Sequence, residues 1–217
     1  MATEVVKEYY QDSVVARDYD AQRFSNLIGR TFDRLEKKAI QKSVRRTLAE
    51  LPNPNVLDVP CGTGRITELL LDMGLNVVGG DISPQMIDVA REKCSRFGNC
   101  VSFRQLDLDD PALPENSFDL VICIRLMHHL DSDSRKGIFK TLSKMTRRFV
   151  MVNVSYMSPI YRIRRVVKRM LRQGISRECS TWPQILEETA QAGLRIEAYD
   201  FVRRYLSEDM VLLLRKT

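Results

Sequence analysis

The sequence predicts an α/β fold, a doubly wound, seven-stranded sheet with five parallel strands plus a C-terminal antiparallel hairpin. Three observations indicate it. Strand-like and helix-like runs alternate through the middle of the chain, one helix and two strand-like runs close it, and 217 residues suffice for one domain with a sizeable core. Helices between strands imply right-handed crossovers and parallel pairing, whereas the short link between the last two strands forces antiparallel pairing.

The individual elements follow in chain order from the periodicity of apolar residues. Two helical stretches, 3–24 and 31–51, open the chain, and Pro52 and Pro54 end the second. The parallel strands are predicted at 55–59, 76–81, 101–106, 118–124 and 149–154. Helices are predicted between them at 65–73, 84–96 and 132–146. A last helix at 181–194 precedes strands at 195–204 and 209–217.

The composition, with 44% hydrophobic and 29% charged residues, is that of an ordinary globular protein. No apolar run approaches the ~20 residues that span a bilayer, and the first 20 residues are too charged for a signal peptide. We therefore expect a cytoplasmic protein. The five cysteines include no C-x-x-C pair and no nearby histidine cluster, so no metal site and no disulfide framework is predicted.

A glycine pair follows the first predicted strand in "VLDVPCGTGR", residues 56–65. Ligands of open α/β sheets bind beyond the carboxyl ends of the strands, where the amide groups of such a turn face them. Thr67 stands where a dinucleotide fingerprint would place its third glycine, and no G-x-x-x-x-G-K-[ST] motif occurs. The turn therefore argues against a dinucleotide site and against a nucleoside triphosphatase.

Three acids stand at the ends of three successive strands. Asp58 precedes the glycine turn, Asp81 lies in "VVGGDIS", and Asp107 lies in "RQLDLDD". Any one of them could merely cap the next helix. Together they predict a site for an adenosine-like ligand, with Asp81 accepting the ribose hydroxyls, Asp107 near the adenine amino group and Asp58 near a cationic amino group.

These motifs, together with "DLDDPALPENSFDLVICIRLMHHL", resemble those of class I S-adenosylmethionine-dependent methyltransferases with a Rossmann-like fold. The resemblance is strongest to small-molecule enzymes of the ubiquinone/menaquinone-biosynthesis type, and it covers about residues 9–154. Pro60 departs from the first glycine of the family's usual D-x-G-x-G-x-G loop and removes one backbone donor.

The resemblance implies S-adenosylmethionine as the cofactor. Asp58, Gly62 and Gly64 would hold its methionine part, Asp81 its ribose, and Asp107 with Leu108 its adenine. Further cofactor contacts are expected from the following residues: Pro60, Cys61, Ile82, Met86, Cys123 and Tyr19.

The resemblance also divides the chain into one methyltransferase domain with four parts. These are an N-terminal helical lid (1–52), a cofactor-binding core (53–155), a basic amphipathic insert (156–180) and the final helix and hairpin (181–217). Tyr10, Tyr19 and Arg23 in the lid would line the pocket, or would pack as ordinary helix residues.

The two histidines, His128 and His129, follow the fourth strand, where the transferred methyl group would lie. Histidine suits general-base catalysis at neutral pH, and His129 is the preferred catalytic residue, although packing would explain either one. No [DN]-P-P-[YF] motif follows that strand, which argues against methylation of adenine or cytosine amino groups.

The segment at 160–177 carries seven basic residues and no acid, so the rest of the chain has a net charge of −1 against a total of +6. Its apolar residues recur at helical spacing. Four interpretations of the segment are open: a helix with a solvated basic face, a lid over an anionic acceptor, a peripheral membrane contact or an RNA contact. The RNA contact is the least favoured, because the segment offers few aromatic rings for base stacking.

The predicted activity is methyl transfer to an O, N or C atom of a small or lipid-like acceptor. The alternatives are an RNA- or protein-directed methyltransferase, or a non-catalytic S-adenosylmethionine-binding partner protein that uses the basic segment.

Overall fold

The computed structural model describes residues 26–158, 179–203 and 208–217. Helices and strands alternate within them. In chain order they are α1 (Leu27–Glu50), β1 (Val56–Asp58), α2 (Arg65–Asp72), β2 (Val77–Asp81), α3 (Pro84–Cys94), β3 (Val101–Gln105), β4 (Phe118–Cys123), α4 (Ser132–Met145), β5 (Thr146–Ser155), α5 (Trp182–Gln191), β6 (Leu194–Phe201) and β7 (Asp209–Lys216). Short 3₁₀ turns lie at Ser95–Cys100 and Met127–His129.

The strands form one sheet in the order β3-β2-β1-β4-β5-β7-β6. Strands β1 to β5 pair in parallel, and β7 is antiparallel to both β5 and β6. The predicted seven-stranded fold with its terminal hairpin is confirmed. β1 lies between β2 and β4, so the carboxyl ends of these strands converge on the turns that carry the predicted site residues.

Two apolar clusters cover the two faces of the sheet. Alternation along β1 sends Leu57 into one cluster and Val56 into the other. Helices α4 and α5 cover the first face, whereas α1 and α2 cover the second. Helix α1 is therefore a structural layer, since Ile40 and Val44 are fully buried in that second cluster.

Side-chain hydrogen bonds cap the N-termini of three of the helices. The Asn26 side chain accepts the Gly29 N–H at 2.7 Å before α1, and the Asp131 side chain accepts the Ser134 N–H at 2.8 Å before α4. The hydroxyl of Ser83 accepts the Met86 N–H at 3.2 Å and caps α3, which leaves Asp81 for another role.

Four predicted boundaries were wrong by three or four residues, among them the end of α5, which lies at Gln191 rather than at residue 194. Strand β5 begins at Thr146 rather than at residue 149, so it includes Arg147 and Arg148. Arg147 pairs with Asp119 at 3.3 Å, which keeps its charge at the surface. The helix predicted at 31–51 already begins at Leu27, and the strand predicted to reach 204 ends at Phe201.

Some predicted features lie outside the described residues. They are the first helical stretch at 3–24 and the basic segment at 160–177. Within the described residues, no helix has both the length and the apolar character needed to cross a membrane. The division of the chain into four parts stays a prediction.

Candidate functional site

A cleft lies beyond the carboxyl ends of β1 to β4. It encloses about 1090 Å³ of empty space, part of which is open to solvent. Its wall is formed by Val59, Pro60, Cys61, Gly62, Thr63, Arg65, Ile66, Asp81, Ile82, Met86, Leu106, Asp107, Leu108, Asp109, Ile124, Arg125, Leu126, Leu130 and Ile138. Eight predicted cofactor contacts are in this wall: Pro60, Cys61, Gly62, Asp81, Ile82, Met86, Asp107 and Leu108. The turns after four neighbouring strands thus meet at one site.

The two glycines of the first turn serve different purposes. Both have positive φ, +52° at Gly62 and +78° at Gly64. A Cβ added at Gly62 would meet nothing within 4 Å, so this glycine faces open space in the cleft wall. A Cβ at Gly64 would lie 3.0 Å from the Ala90 Cβ, so this glycine lets α2 approach α3. Gly64 is not in the cleft wall.

Asp81 joins two of the turns that form the site. Its carboxylate accepts the Gly62 N–H at 2.8 Å through Oδ2 and the Ser83 N–H at 3.0 Å through Oδ1. Burial raises the pKa of Asp81, while these two backbone hydrogen bonds lower it. Each carboxylate oxygen has a second lone pair, so Asp81 can still accept hydroxyl groups from a ligand.

Apolar residues flank the next acid along the sheet edge. Asp107 follows β3, and its Oδ1 accepts the Asp109 N–H at 2.9 Å. Leu106 and Leu108 on either side of it are buried, as is Met86 of α3. A flat apolar ring with a polar edge would fit between such residues.

Asp58 and Cys123 lie behind the cleft wall rather than in it. The Thr67 hydroxyl donates to Asp58 Oδ2 at 2.6 Å, and this carboxyl is almost fully buried. Burial is the main cause that raises the pKa of Asp58 to about 7; the Thr67 hydrogen bond and Arg65 oppose it, and Asp81 adds to it. Burial also raises the pKa of the Cys123 thiol, so this cysteine stays protonated and apolar.

The raised pKa of Asp58 predicts a dependence of stability on pH. A carboxyl with a higher pKa in the folded state contributes stability below its unfolded pKa of about 3.9, and loses it as the pH rises through about 7. The free energy of unfolding should therefore fall between about pH 4 and about pH 7, and Asp58→Asn should remove about 2–4 kcal/mol of that fall.

Urea unfolding at several pH values measures this effect. Asparagine keeps an oxygen that accepts the Thr67 hydroxyl, so the variant should fold. Asp133→Asn is the matched control, because that side chain is 95% exposed. Parallel pH profiles for the parent and Asp58→Asn would show that Asp58 does not titrate in this range.

The two histidines form part of a turn next to the cleft. His128 is buried, His129 is half-buried, and their ring centroids are 4.2 Å apart. Neither is in the cleft wall, although Leu126 and Leu130 on either side of the pair are. Tyr19, the remaining predicted contact, lies outside the described residues.

A buried ion pair fixes the turn that carries the histidines. Arg135 of α4 donates to Glu188 of α5 through Nε at 3.0 Å and through Nη2 at 2.8 Å. Its Nη1 donates to the Leu130 carbonyl oxygen at 2.8 Å, one residue after His129. An ion pair between two helices thus holds the backbone carbonyl of the residue that follows His129.

Sequence reasoning missed a second charged network at the cleft, centred on Glu36 of α1. This carboxylate is fully buried and accepts hydrogen bonds from Arg65 at 2.6 Å, Arg125 at 3.2 Å and Asn153 at 3.3 Å. Arg65 also donates to Asp33 at 2.5 Å. Arg65 directly follows the glycine turn, which was a usable signal, whereas Glu36 lies in a helix of mixed charge and gave none.

Arg125 has an unusual backbone conformation within this network. Its φ is +69°, a region that costs a non-glycine residue energy and is often found at functional sites. The side-chain oxygen of Asn153 accepts its N–H at 2.6 Å and so holds this conformation. The result places a cationic side chain in the cleft wall directly after β4.

These observations fit an adenosine-like ligand with an amino-acid tail. Gly62 leaves open space at the turn, and Asp81 offers free lone pairs to a ribose. Asp107 stands at the polar edge of an apolar wall suited to adenine. The wall is largely apolar, and no further glycine-rich turn follows Gly64. It therefore offers few hydrogen-bond donors to a pyrophosphate.

Comparison with known proteins finds a family model that matches part of the chain. Residues 56–148 match the model of a family described as "Methyltransferase domain". A demethylmenaquinone methyltransferase from Tropheryma whipplei is 32% identical over 116 residues, which is 49% of this chain and 48% of that protein. A magnesium-protoporphyrin O-methyltransferase from Rhodobacter capsulatus is 33% identical over 107 residues, which is 49% of this chain and 47% of that protein.

The chain thus spans about half the length of these curated relatives. Among solved structures, magnesium protoporphyrin IX methyltransferase from Synechocystis with bound SAH has a TM-score of 0.81. It is 19% identical, and the match covers 99% of this chain and 100% of that one. At this identity the likeness shows the fold, which agrees with the sheet described above.

Proposed function

We propose, because residues 56–148 match the model of a methyltransferase domain, that this protein transfers a methyl group from S-adenosylmethionine to an O, N or C atom of a small or lipid-like acceptor. The observation that carries this proposal is the carboxylate of Asp81. It stands in the cleft wall at the end of β2, is tied to the glycine turn at 2.8 Å, and retains lone pairs for a ribose.

Residues around the cleft would hold the cofactor in three places. The turn at Gly62 would hold the methionine part, Asp81 the ribose, and Asp107 with Leu108 the adenine. When bound, the cofactor supplies an electrophilic methyl group on a sulfonium, so the protein's task is to align the acceptor with it.

The wall after β4 supports an acceptor with an apolar body and an oxygen substituent. Leu126, Leu130 and Ile138 provide aliphatic surface there, and Arg125, which is paired with Glu36, adds a polar residue. The relatives are named for demethylmenaquinone and magnesium protoporphyrin, which supports the same class of acceptor for this chain. A lipid-linked acceptor would use this aliphatic surface.

His129 would accept a proton from the acceptor or orient it. General-base catalysis contributes about 10²–10⁴-fold, so His129→Ala should lower kcat by that order while the affinity for S-adenosylmethionine stays near the parent value. Single-turnover rates and calorimetric titration measure the two effects separately. His128→Ala is the matched control; if it alone lowers kcat, His128 has the role, and normal turnover in both variants would show that no histidine base is needed.

Methyl transfer itself is tested with radiolabelled S-adenosylmethionine. The protein is incubated with fractionated cell extract, and in parallel with a demethylmenaquinone, a polyprenyl phenol and magnesium protoporphyrin. We expect label in an organic-soluble product that is lost in the Asp81→Ala variant. Label found only in RNA or protein would refute a small acceptor, and label in no fraction would refute the enzyme.

The basic segment at 160–177 lies outside the described residues, and its role is proposed from sequence alone. We propose that it recruits an anionic or lipid-linked acceptor and contacts a membrane surface, with nucleic acid as the disfavoured partner. Replacing Arg164, Arg165, Lys168 and Arg169 with glutamine should leave cofactor affinity intact and weaken binding to liposomes or to the acceptor. The cytoplasmic location stays a prediction.

A further inference from the structure

We infer that the outward face of α1 binds the surface of an anionic phospholipid membrane. This inference rests on the proposed function, because a lipid-like acceptor would be supplied from such a surface. The outward face is defined here by four basic residues, Arg30, Arg34, Lys38 and Arg45, and by two apolar residues at the start of the helix, Leu27 and Ile28.

The four basic residues form one stripe. A spacing of four, four and seven residues places them within an arc of about 80° and along roughly 22 Å of helix. All four side chains are exposed. None of them forms an ion pair with another described residue, whereas their neighbours Lys42 and Arg46 both pair with Asp200. The stripe therefore keeps its positive charge available for a partner.

The apolar part of this face lies at the N-terminal end of α1. Leu27 is 81% exposed and Ile28 is 74% exposed, and they are the two most exposed large apolar residues that the structure describes. Exposed aliphatic side chains next to a basic stripe are the combination by which an interfacial helix enters the headgroup region of a bilayer.

The other faces of α1 explain why this helix presents its charges rigidly. Ile40 and Val44 are buried against the sheet, which fixes the rotation of the helix about its axis. Glu36 binds Arg65 of the cleft wall at 2.6 Å, so the N-terminal half of α1 lies at the edge of the sheet where the cleft opens. A membrane held by Leu27 and Ile28 would thus lie near the entrance to the cleft.

A membrane fits this face better than a nucleic acid does. Surfaces that bind single-stranded nucleic acid commonly add aromatic rings for base stacking. The aromatic residue of α1 is Phe32, and the Arg125 guanidinium lies 5.5 Å from the centroid of its ring, so Phe32 faces the charged network and not the stripe. Exposed Leu27 and Ile28 would contribute little to a phosphate backbone.

Co-sedimentation with vesicles tests the charged part of the face. Vesicles of phosphatidylcholine with about 30% phosphatidylserine are compared with vesicles of phosphatidylcholine alone. Arg34→Gln/Lys38→Gln should lower the partition coefficient roughly tenfold to thirtyfold at low ionic strength. The matched control, Arg104→Gln/Lys140→Gln, removes two charges of β3 and α4 that are also exposed, and should leave binding unchanged.

A second pair of variants tests the apolar part. Leu27→Ala/Ile28→Ala should weaken binding at least about threefold, because less apolar surface enters the headgroup region. Leu186→Ala removes the comparable side chain of α5, which is 44% exposed, and should have no effect. Far-ultraviolet circular dichroism and thermal unfolding establish that each variant is folded.

The basic segment at 160–177 is also proposed to contact a membrane, so its contribution to vesicle binding has to be separated from that of α1. The α1 variants are therefore also measured with Arg164, Arg165, Lys168 and Arg169 replaced by glutamine. An equal fold-loss in both backgrounds supports α1 as an independent contact. The inference is overturned by absence of vesicle binding, by equal losses in the control variants, or by binding to single-stranded RNA but not to vesicles. The same samples are also titrated with S-adenosylmethionine. Saturable cofactor binding without vesicle binding would overturn the α1 contact and leave the proposed function standing, whereas absence of cofactor binding would count against the proposed function itself.

Discussion

Glu36→Ala should lower the free energy of unfolding by about 3–5 kcal/mol. The side chain of Glu36 is fully buried, and it is the shared partner of Arg65 and Arg125, whose side chains are 11% and 12% exposed. Removing one partner of a buried ion pair leaves a charge that water reaches poorly, and this costs more than the pair itself contributes. Asp33 still binds Arg65, so Arg125 should lose most.

Chemical denaturation of the parent and of two variants measures this effect. Glu36→Gln keeps one acceptor oxygen and should lie between the parent and Glu36→Ala. Glu50→Ala is the matched control on the same helix, because Glu50 pairs with Arg215 and Arg148 at the exposed surface and should matter little. Similar losses for Glu36→Ala and Glu50→Ala would contradict a stabilising network at the cleft.

Asp81→Ala should weaken the binding of S-adenosylmethionine by roughly tenfold to hundredfold or more. Hydrogen bonds to a charged group contribute about 1.5–3 kcal/mol each, and the ribose offers two hydroxyls. The variant also deprives the Gly62 N–H of its acceptor, which lies 2.8 Å away, so the glycine turn loses its link to β2. Both effects act in the same direction.

The control for this prediction is Ser83→Ala. That substitution removes the cap of α3 but keeps the Ser83 N–H that donates to Asp81 at 3.0 Å. It should cost about 1 kcal/mol of stability and leave the cofactor affinity unchanged. Unchanged affinity in a folded Asp81→Ala protein would remove Asp81 from the ribose site.

The alternation of strands and helices was sufficient to predict how the strands of the sheet pair. A connection through a helix joins parallel strands, and a short link joins antiparallel strands. The position of β7 between β5 and β6 could not be read in the same way, since a hairpin can add to a sheet through either strand. The site acids Asp81 and Asp107 were predictable because the ends of parallel strands meet at one edge.

Other parts of the site depend on packing that sequence spacing does not encode. Gly64 was assigned to ligand binding from its motif, yet the nearest obstacle to a side chain there is Ala90 of α3. Asp58 lies behind the wall, where Thr67 is its hydrogen-bond partner. The pairing of Glu36 with Arg125, 89 residues apart, requires the tertiary fold before it can be seen.

The most direct test of the account is calorimetric titration of the purified protein with S-adenosylmethionine, with S-adenosylhomocysteine and with NAD. The cleft wall contains Asp81, which we propose accepts the ribose hydroxyls, and apolar residues, which we propose pack against the adenine, but no complete glycine-rich turn for a pyrophosphate. We therefore expect saturable one-to-one binding of the first two ligands and no heat with NAD. Binding of NAD, or binding of none of the three, would contradict the assignment of this cleft to S-adenosylmethionine.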